Sequence, residues 1–146
     1  MRPSLRSFLT LAAMAMPGIA AAQKSVVTPA GQNANANLSA GIRVGDMLYA
    51  SGQMGLSRSA PDTTIEGQTK AALENVKKVM EVGGMNMVNV VKCTVFFTRQ
   101  SDFQGMNKTY REYFPKDPPA RSTVIVAALV SAGGLIEIEC MAVVPK

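Results

Sequence analysis

Val88 to Phe114 reads VNVVKCTVFFTRQSDFQGMNKTYREYF, and a change of period inside it decides the fold. Through Thr98 the stretch is dense in β-branched and aromatic residues, which predicts a largely buried strand. From Phe103 the apolar residues change step: Phe103, Met106, Tyr110, Tyr113 and Phe114 recur every three or four positions, as on one helix face. Ser101-Asp102-Phe103-Gln104 fits a capping box at the start of that helix, and Pro115 ends it. One strand therefore passes directly into one amphipathic helix.

The flanks extend the pattern. Upstream, Ile65, Thr69, Ala72, Leu73, Val76 and Met80 mark a first helix, with a capping box at Thr63-Thr64-Ile65-Glu66. Gly83-Gly84 stops it, because glycine reaches the left-handed C-cap conformation without strain. Gly67 weakens it by up to ~1 kcal/mol relative to alanine. Before it, IRVGDMLYASGQ carries a turn at Gly45-Asp46 and a strand from Met47 to Ser51, which Gly52 ends or bends. MGLSRSAPD is a loop, and Gln23 to Ala40 an extended lead-in. Downstream, ARSTVIVAAL and GLIEIECMAVV are the last two strands, joined by a short VSAGG connection. In the second of these, Glu137 and Glu139 share one face while Ile136, Ile138 and Cys140 share the other. The order is β, β, α, β, α, β, β: an α+β single domain with two helices on one face of the sheet. The other face is not uniformly polar, and self-association is the simplest way to cover it.

The first 22 residues stand outside that domain. Arg2 and Arg6 precede an apolar stretch from Phe8 to about Ala20, closed by small residues, in the order of a secretory signal peptide cleaved after Ala22. The stretch is shorter than the ~20 residues a bilayer span needs, and Pro17 and Gly18 interrupt it. The expectation is a signal peptide over 1–22 and an exported, periplasmic domain over 23–146 with no membrane anchor. Removing Arg2 and Arg6 from 15 basic residues leaves 13 against 10 acidic ones. That small surplus, without a basic run, gives no footprint for nucleic acid. The chain has no histidine, which removes Ser-His-Asp and Cys-His schemes and most zinc sites. Its two cysteines, Cys93 and Cys140, lie inside apolar β-like runs. A disulfide in an oxidising compartment is one reading. Two small buried hydrophobes is the preferred one, since cysteines on separate strands need not have bridging geometry.

Two charged residues invite a choice. Arg121, in PPARSTVIV, stands at the mouth of an apolar strand, either as a solvent-facing rim charge or as an anchor for an anionic substrate. Glu137 lies on the next strand, which the short connection should place alongside. The pair reads equally as a structural ion pair and as a site.

The motifs VGDMLYASGQ, QTKAALENVKKVM, VVKCTVFFT, DFQGMNKTYREYF, PPARSTV and IEIECMAVV, in that order and spacing, resemble the RidA/YjgF family of imine deaminases over nearly all of residues 23–146. The resemblance implies a chorismate-mutase-like fold, a homotrimer with clefts between subunits, and hydrolysis of 2-imino and 2-enamino acids to 2-keto acids and ammonia without metal or cofactor. It implies that Arg121 holds the substrate carboxylate and that Glu137 positions water and the imine nitrogen. Ser51, Gly52 and Asn107 match cleft residues, and Thr123 sits where many members have cysteine, with its backbone carbonyl as the water contact. ANLSAG stands where many members have GPYSQA, so Leu38 takes the place of a pocket tyrosine and Ala40 that of glutamine. LVSAGGLIE carries one extra residue. A pocket that exchanges a phenol for an isobutyl group loses a hydrogen-bonding position, which points to larger or more apolar imino acids. Other readings are a non-enzymatic binding module for small carboxylate metabolites, and the ribonuclease or chaperone-like role also assigned to the family.

Overall fold

The computed structural model describes residues 23–31, 37–56 and 62–144. The signal-peptide stretch and part of the loop before the first helix lie outside them. The elements are β1 (Lys24–Val27), β2 (Gly41–Val44), β3 (Met47–Met54), α1 (Ile65–Val82), β4 (Val90–Phe97), α2 (Phe103–Tyr113), β5 (Ala120–Ile125) and β6 (Ile136–Val143). The strands form one mixed sheet in the order β1-β2-β3-β6-β4-β5. Every neighbouring pair is antiparallel except β4 and β5, which α2 connects as a parallel crossover. The architecture is the expected α+β domain, two helices on one face of a mixed sheet, with a short edge strand, β1, added within the lead-in.

The core lies between that face and the helices. From the sheet come Leu48, Val95, Phe97, Ile136 and Ile138, and from the helices Leu73, Val76, Val79, Met80 and Met106, each almost fully buried. Burying side chains of this size stabilises by about 1.5–3 kcal/mol each before conformational entropy is counted. Gln68 is the polar exception: buried on α1, its amide donates to the carbonyls of Asp62 (2.8 Å) and Gly133 (2.9 Å), and its Oε1 accepts from Leu135 N–H (2.8 Å). It thereby fixes the approach to β6 with all three contacts satisfied.

Several local expectations are corrected. The α1 N-cap is Thr64, not Thr63; its hydroxyl accepts from Gly67 N–H at 3.1 Å, so a glycine stands where a capping box needs a carboxylate. The glycine stop at the other end is as expected: Gly83 is the C-cap and Gly84 takes the left-handed conformation (φ 78°). Gly84 N–H bonds Glu81 O and Met85 N–H bonds Met80 O, a Schellman motif with Met80 and Met85 both buried. A turn of 3-10 helix over Gln100–Asp102 precedes α2, and Asp102 makes no cap bond; it pairs with Arg99 Nε at 2.8 Å instead. β5 stops at Ile125 rather than running to Leu129. Val126 N–H makes a last bond to Phe97 O, and Phe97 is where its partner β4 ends.

The cysteines are a further correction: Cys93 and Cys140 form a disulfide. They are direct register partners on adjacent antiparallel strands, β4 and β6, and point to the same side, so the sulfurs meet. The row continues across the sheet, since Ala50 pairs with Cys140 and Arg121 with Cys93. Among the described residues no helix covers the opposite sheet face. That face carries Tyr49 and Val124, 40% and 42% exposed, with half-buried Ile42, Phe96, Met141 and Val143 among Lys92, Glu137 and Glu139. Among the described residues no helix is long and apolar enough to cross a membrane.

Candidate active site

Arg121 and Glu137 do not meet within the protomer, contrary to the reading that their strands lie side by side. β4 separates β5 from β6. The side chains also leave opposite faces: Arg121 pairs with Cys93 on the helix-covered face, whereas Glu137 pairs with Phe96 and alternates with buried Ile136 and Ile138. A short connection brings strands together only if no third strand inserts, and here β6 completes the sheet between β3 and β4.

The first group of residues lies at the seam of α2 and β5. Arg121 Nη2 donates to Asn107 Oδ1 at 2.7 Å, and Nη1 reaches Met106 Sδ at 3.8 Å. The guanidinium lies over the Tyr110 ring, 4.6 Å from its centroid, a cation–π contact that fixes the plane of the fork. Asn107, Tyr110 and Arg111 follow each other at helical spacing and line, with Phe114, Pro118, Pro119 and Arg121, a recess of about 360 Å³. Thr123, two residues further along the same face of β5, lines a second recess of about 560 Å³ with Phe97, Phe103 and Ile125. β5 is an edge strand, so one side of its backbone is unpaired beside Arg121 and Thr123.

Tyr110 was legible only as a core residue. It is buried, its hydroxyl has no hydrogen-bond partner among the described residues, and burial pushes its pKa up to about 12, against a smaller downward pull from the Arg121 cation. The spacing Asn107, Tyr110, Arg111 is the signal that could have placed it beside the anchor.

The second group lies on β3 and β6, at the open face. The strand pairing slips between Ala50 and Gln53, and the side chain of Glu137 occupies the space that a Cβ on Gly52 would fill. Only glycine allows the carboxylate that position. Ser51 binds the Leu38–Ala40 segment twice: its hydroxyl donates to Ser39 O at 2.7 Å and its N–H to Ala40 O at 3.0 Å. Leu38, next in line, is 57% exposed. Glu137 has no hydrogen-bond or ion-pair partner among the described residues, so both its oxygens are available.

The structure thus brings Asn107, Thr123 and Arg121 to one seam and Ser51, Gly52 and Glu137 to one face, with Leu38 near the latter. Among the described residues no group of acidic or cysteine side chains could hold a metal. One group can grip a carboxylate and the other can handle a proton. The fold, two helices on one face of a mixed six-stranded sheet, is that of the YjgF-type α+β proteins.

Residues 28–144 match the family described as endoribonuclease L-PSP. A 2-iminobutanoate/2-iminopropanoate deaminase of Capra hircus is 37% identical over 106 residues, covering 70% of this chain and 76% of its own. The crystal structure of the YjgF gene product of E. coli superposes with a TM-score of 0.70 at 34% identity, over 75% of this chain and 90% of that one. E. coli TdcF with bound serine gives 0.76 at 29% identity, over 83% and 99%. The chain belongs to the RidA/YjgF family, the endoribonuclease L-PSP family of that match. The deaminases among its relatives support imine deamination as chemistry of the family.

Proposed function

We propose that this protein hydrolyses 2-imino and 2-enamino acids to 2-keto acids and ammonia, at a site that two copies of the chain complete. The observation that carries this is the pair of half-sites: Arg121, oriented at the sheet edge, and Glu137, on the open face, neither with an ionic partner among the described residues. The β5 edge of one copy set against the open face of the next joins the two, and three copies in a ring supply three such clefts. This assembly also covers the apolar part of the open face. The crystal structure of E. coli TdcF holds a bound serine, a small α-amino acid with the carboxylate that Arg121 is suited to grip here.

In the reaction the substrate carboxylate docks on the free edge of the Arg121 guanidinium, while Asn107 and Tyr110 keep that edge in place. Water attacks C2 of the imine, and Glu137 takes its proton and passes it to the nitrogen. The resulting carbinolamine collapses: its hydroxyl proton passes by way of Glu137 to the nitrogen, the carbonyl forms, the C–N bond breaks and ammonia leaves. Water supplies the oxygen, and no electron transfer is involved. Imines hydrolyse readily, so orientation contributes more than nucleophile strength.

Export to an oxidising compartment is part of the proposal, supported by the residue order of the first 22 positions and by the buried disulfide. The test is keto-acid release from imines generated in situ by an amino-acid oxidase. Arg121→Lys keeps the charge and loses the fork, and turnover is expected to fall about 100-fold. Glu137→Gln should lose most turnover while still binding a keto-acid analogue. Hydrolysis unchanged in both variants would remove these residues from the site.

A further inference from the structure

We propose that the recess beside Arg121 receives a second anionic group at Arg111, which makes dicarboxylic 2-imino acids the substrates this chain binds best. The chemistry rests on the deaminase reading; the recognition of the dianion does not. Arg111 comes from α2 and Arg121 from β5, and both line the same recess of about 360 Å³. The remaining wall is Asn107, Tyr110, Phe114, Pro118 and Pro119, with no acid among them.

Neither guanidinium has a counter-ion among the described residues, where the one ion pair joins Arg99 and Asp102. Arg121 is held by the neutral Asn107, and Arg111 makes no hydrogen bond to any described residue. Arg111 follows Asn107 by one helical turn, so its side chain stands next to the group that orients Arg121. A cation in the last turn of α2 is favoured by the helix dipole wherever it points. That effect does not explain why it shares a recess with a second, half-buried arginine. Glu112 lines a neighbouring depression with Arg111, Lys108, Gln104 and Asn107, but among the described residues it forms no ion pair with either cation.

Two like charges against a partly apolar wall repel each other, and each gains from an anion placed between them. A monocarboxylate satisfies Arg121 alone. A 2-imino acid with a carboxylate on its side chain satisfies both, with one carboxylate on each guanidinium. This sets a charge preference at the α2 end of the cleft, whereas Leu38 stands at the other end, beside Ser51.

The test compares imines produced in situ from aspartate and from leucine. Wild type is expected to favour the aspartate product in kcat/KM. Arg111→Glu should lower the aspartate-to-leucine ratio by about tenfold or more, and Arg111→Lys should lower it less. A wild-type ratio below one, or a ratio that Arg111→Glu does not move, overturns the proposal. Because Arg111 is exposed, these variants leave the core intact. Calorimetry with 2-oxoglutarate and 2-oxobutanoate keeps the two readings apart. If no imine is hydrolysed, the deaminase reading falls, and tighter binding of 2-oxoglutarate that Arg111→Glu abolishes still supports the second anchor. Equal binding of the two keto acids overturns it.

Discussion

The α2–β5 seam and the open face of β3 and β6 prepare their charged groups by opposite means. At the seam, Arg121 is held by contact: a hydrogen bond to Asn107, a thioether and an aromatic ring beneath it. At the open face, Glu137 is placed by vacancy, in space left by Gly52, with no bond to either oxygen among the described residues. An anchor has to be rigid, since a displacement of about an ångström at the reacting carbon costs ~100-fold in rate. A proton carrier has to exchange partners between water and nitrogen, and fixed bonds would hinder it.

The sharpest way to break this comparison is to put the two defects on different chains. In the proposed ring, Arg121→Lys and Glu137→Gln subunits, mixed and reassembled, would give some clefts that combine an intact arginine with an intact glutamate. Random assortment in a cyclic trimer restores about a quarter of the wild-type clefts. A mixture as inactive as its parents would show that a single chain supplies both groups.

Gly52→Ala tests the vacancy. The three atoms nearest the new methyl all belong to the Glu137 side chain, whose end can swing away, so stability should fall by about 1 kcal/mol, the low end of the range for overpacking. Turnover should fall about 100-fold, because the carboxylate leaves its position. Equal losses of turnover and thermal stability would instead mean that Gly52 serves the fold.

Tyr110→Phe tests the seam, with a smaller effect. The ring stays under Arg121, and a buried hydroxyl with no partner among the described residues is removed, so stability at neutral pH should rise by about 1 kcal/mol. The alkaline limb gives a second readout. Tyr110 is pushed up to about 12 by burial, so between about pH 10 and 12 the unfolded chain releases a proton that the folded chain keeps. The stability linked to this group is present below about pH 10 and is lost as pH rises through 12. The variant should therefore unfold less steeply in alkali; a limb identical to wild type would mean that Tyr110 titrates normally. Tyr113 remains in both proteins, its pKa raised by burial and then by its bond to Glu74.

The sequence was a good guide wherever one element's own period carries the information. Both helices, β4 and β6 are legible from apolar spacing, because the same residues make the element and bury it. Strand order is not local: nothing in GLIEIECMAVV says that it enters between β3 and β4, yet that insertion separates Arg121 from Glu137. The cysteines were misread for the same reason, since register between strands far apart in sequence decides whether sulfurs meet. Thr63 and Thr64 are chemically equivalent caps, and Asp62 distinguishes them by accepting from the Thr64 amide and hydroxyl. The family motifs assigned Arg121, Asn107 and Glu137 one by one, but the gathering of Tyr110 and Arg111 around Arg121 required the folded seam.

The disulfide makes part of this molecule a ring. Cys93 and Cys140 lie 47 positions apart, and the closed loop contains Asn107, Tyr110, Arg111, Arg121, Thr123 and Glu137. The connection between β5 and β6 also belongs to the ring, and Val130 within it is almost fully exposed. A protease that reaches that connection cuts a loop and not a line, so the segments bearing Arg121 and Glu137 stay covalently joined through sulfur. Nicked protein should run as one species without reductant and as two fragments with it, and fragments already separate without reductant would refute the bond. If the chain is exported, as proposed, no damaged copy can be resynthesised where it works, and the site would outlast a break in its own backbone.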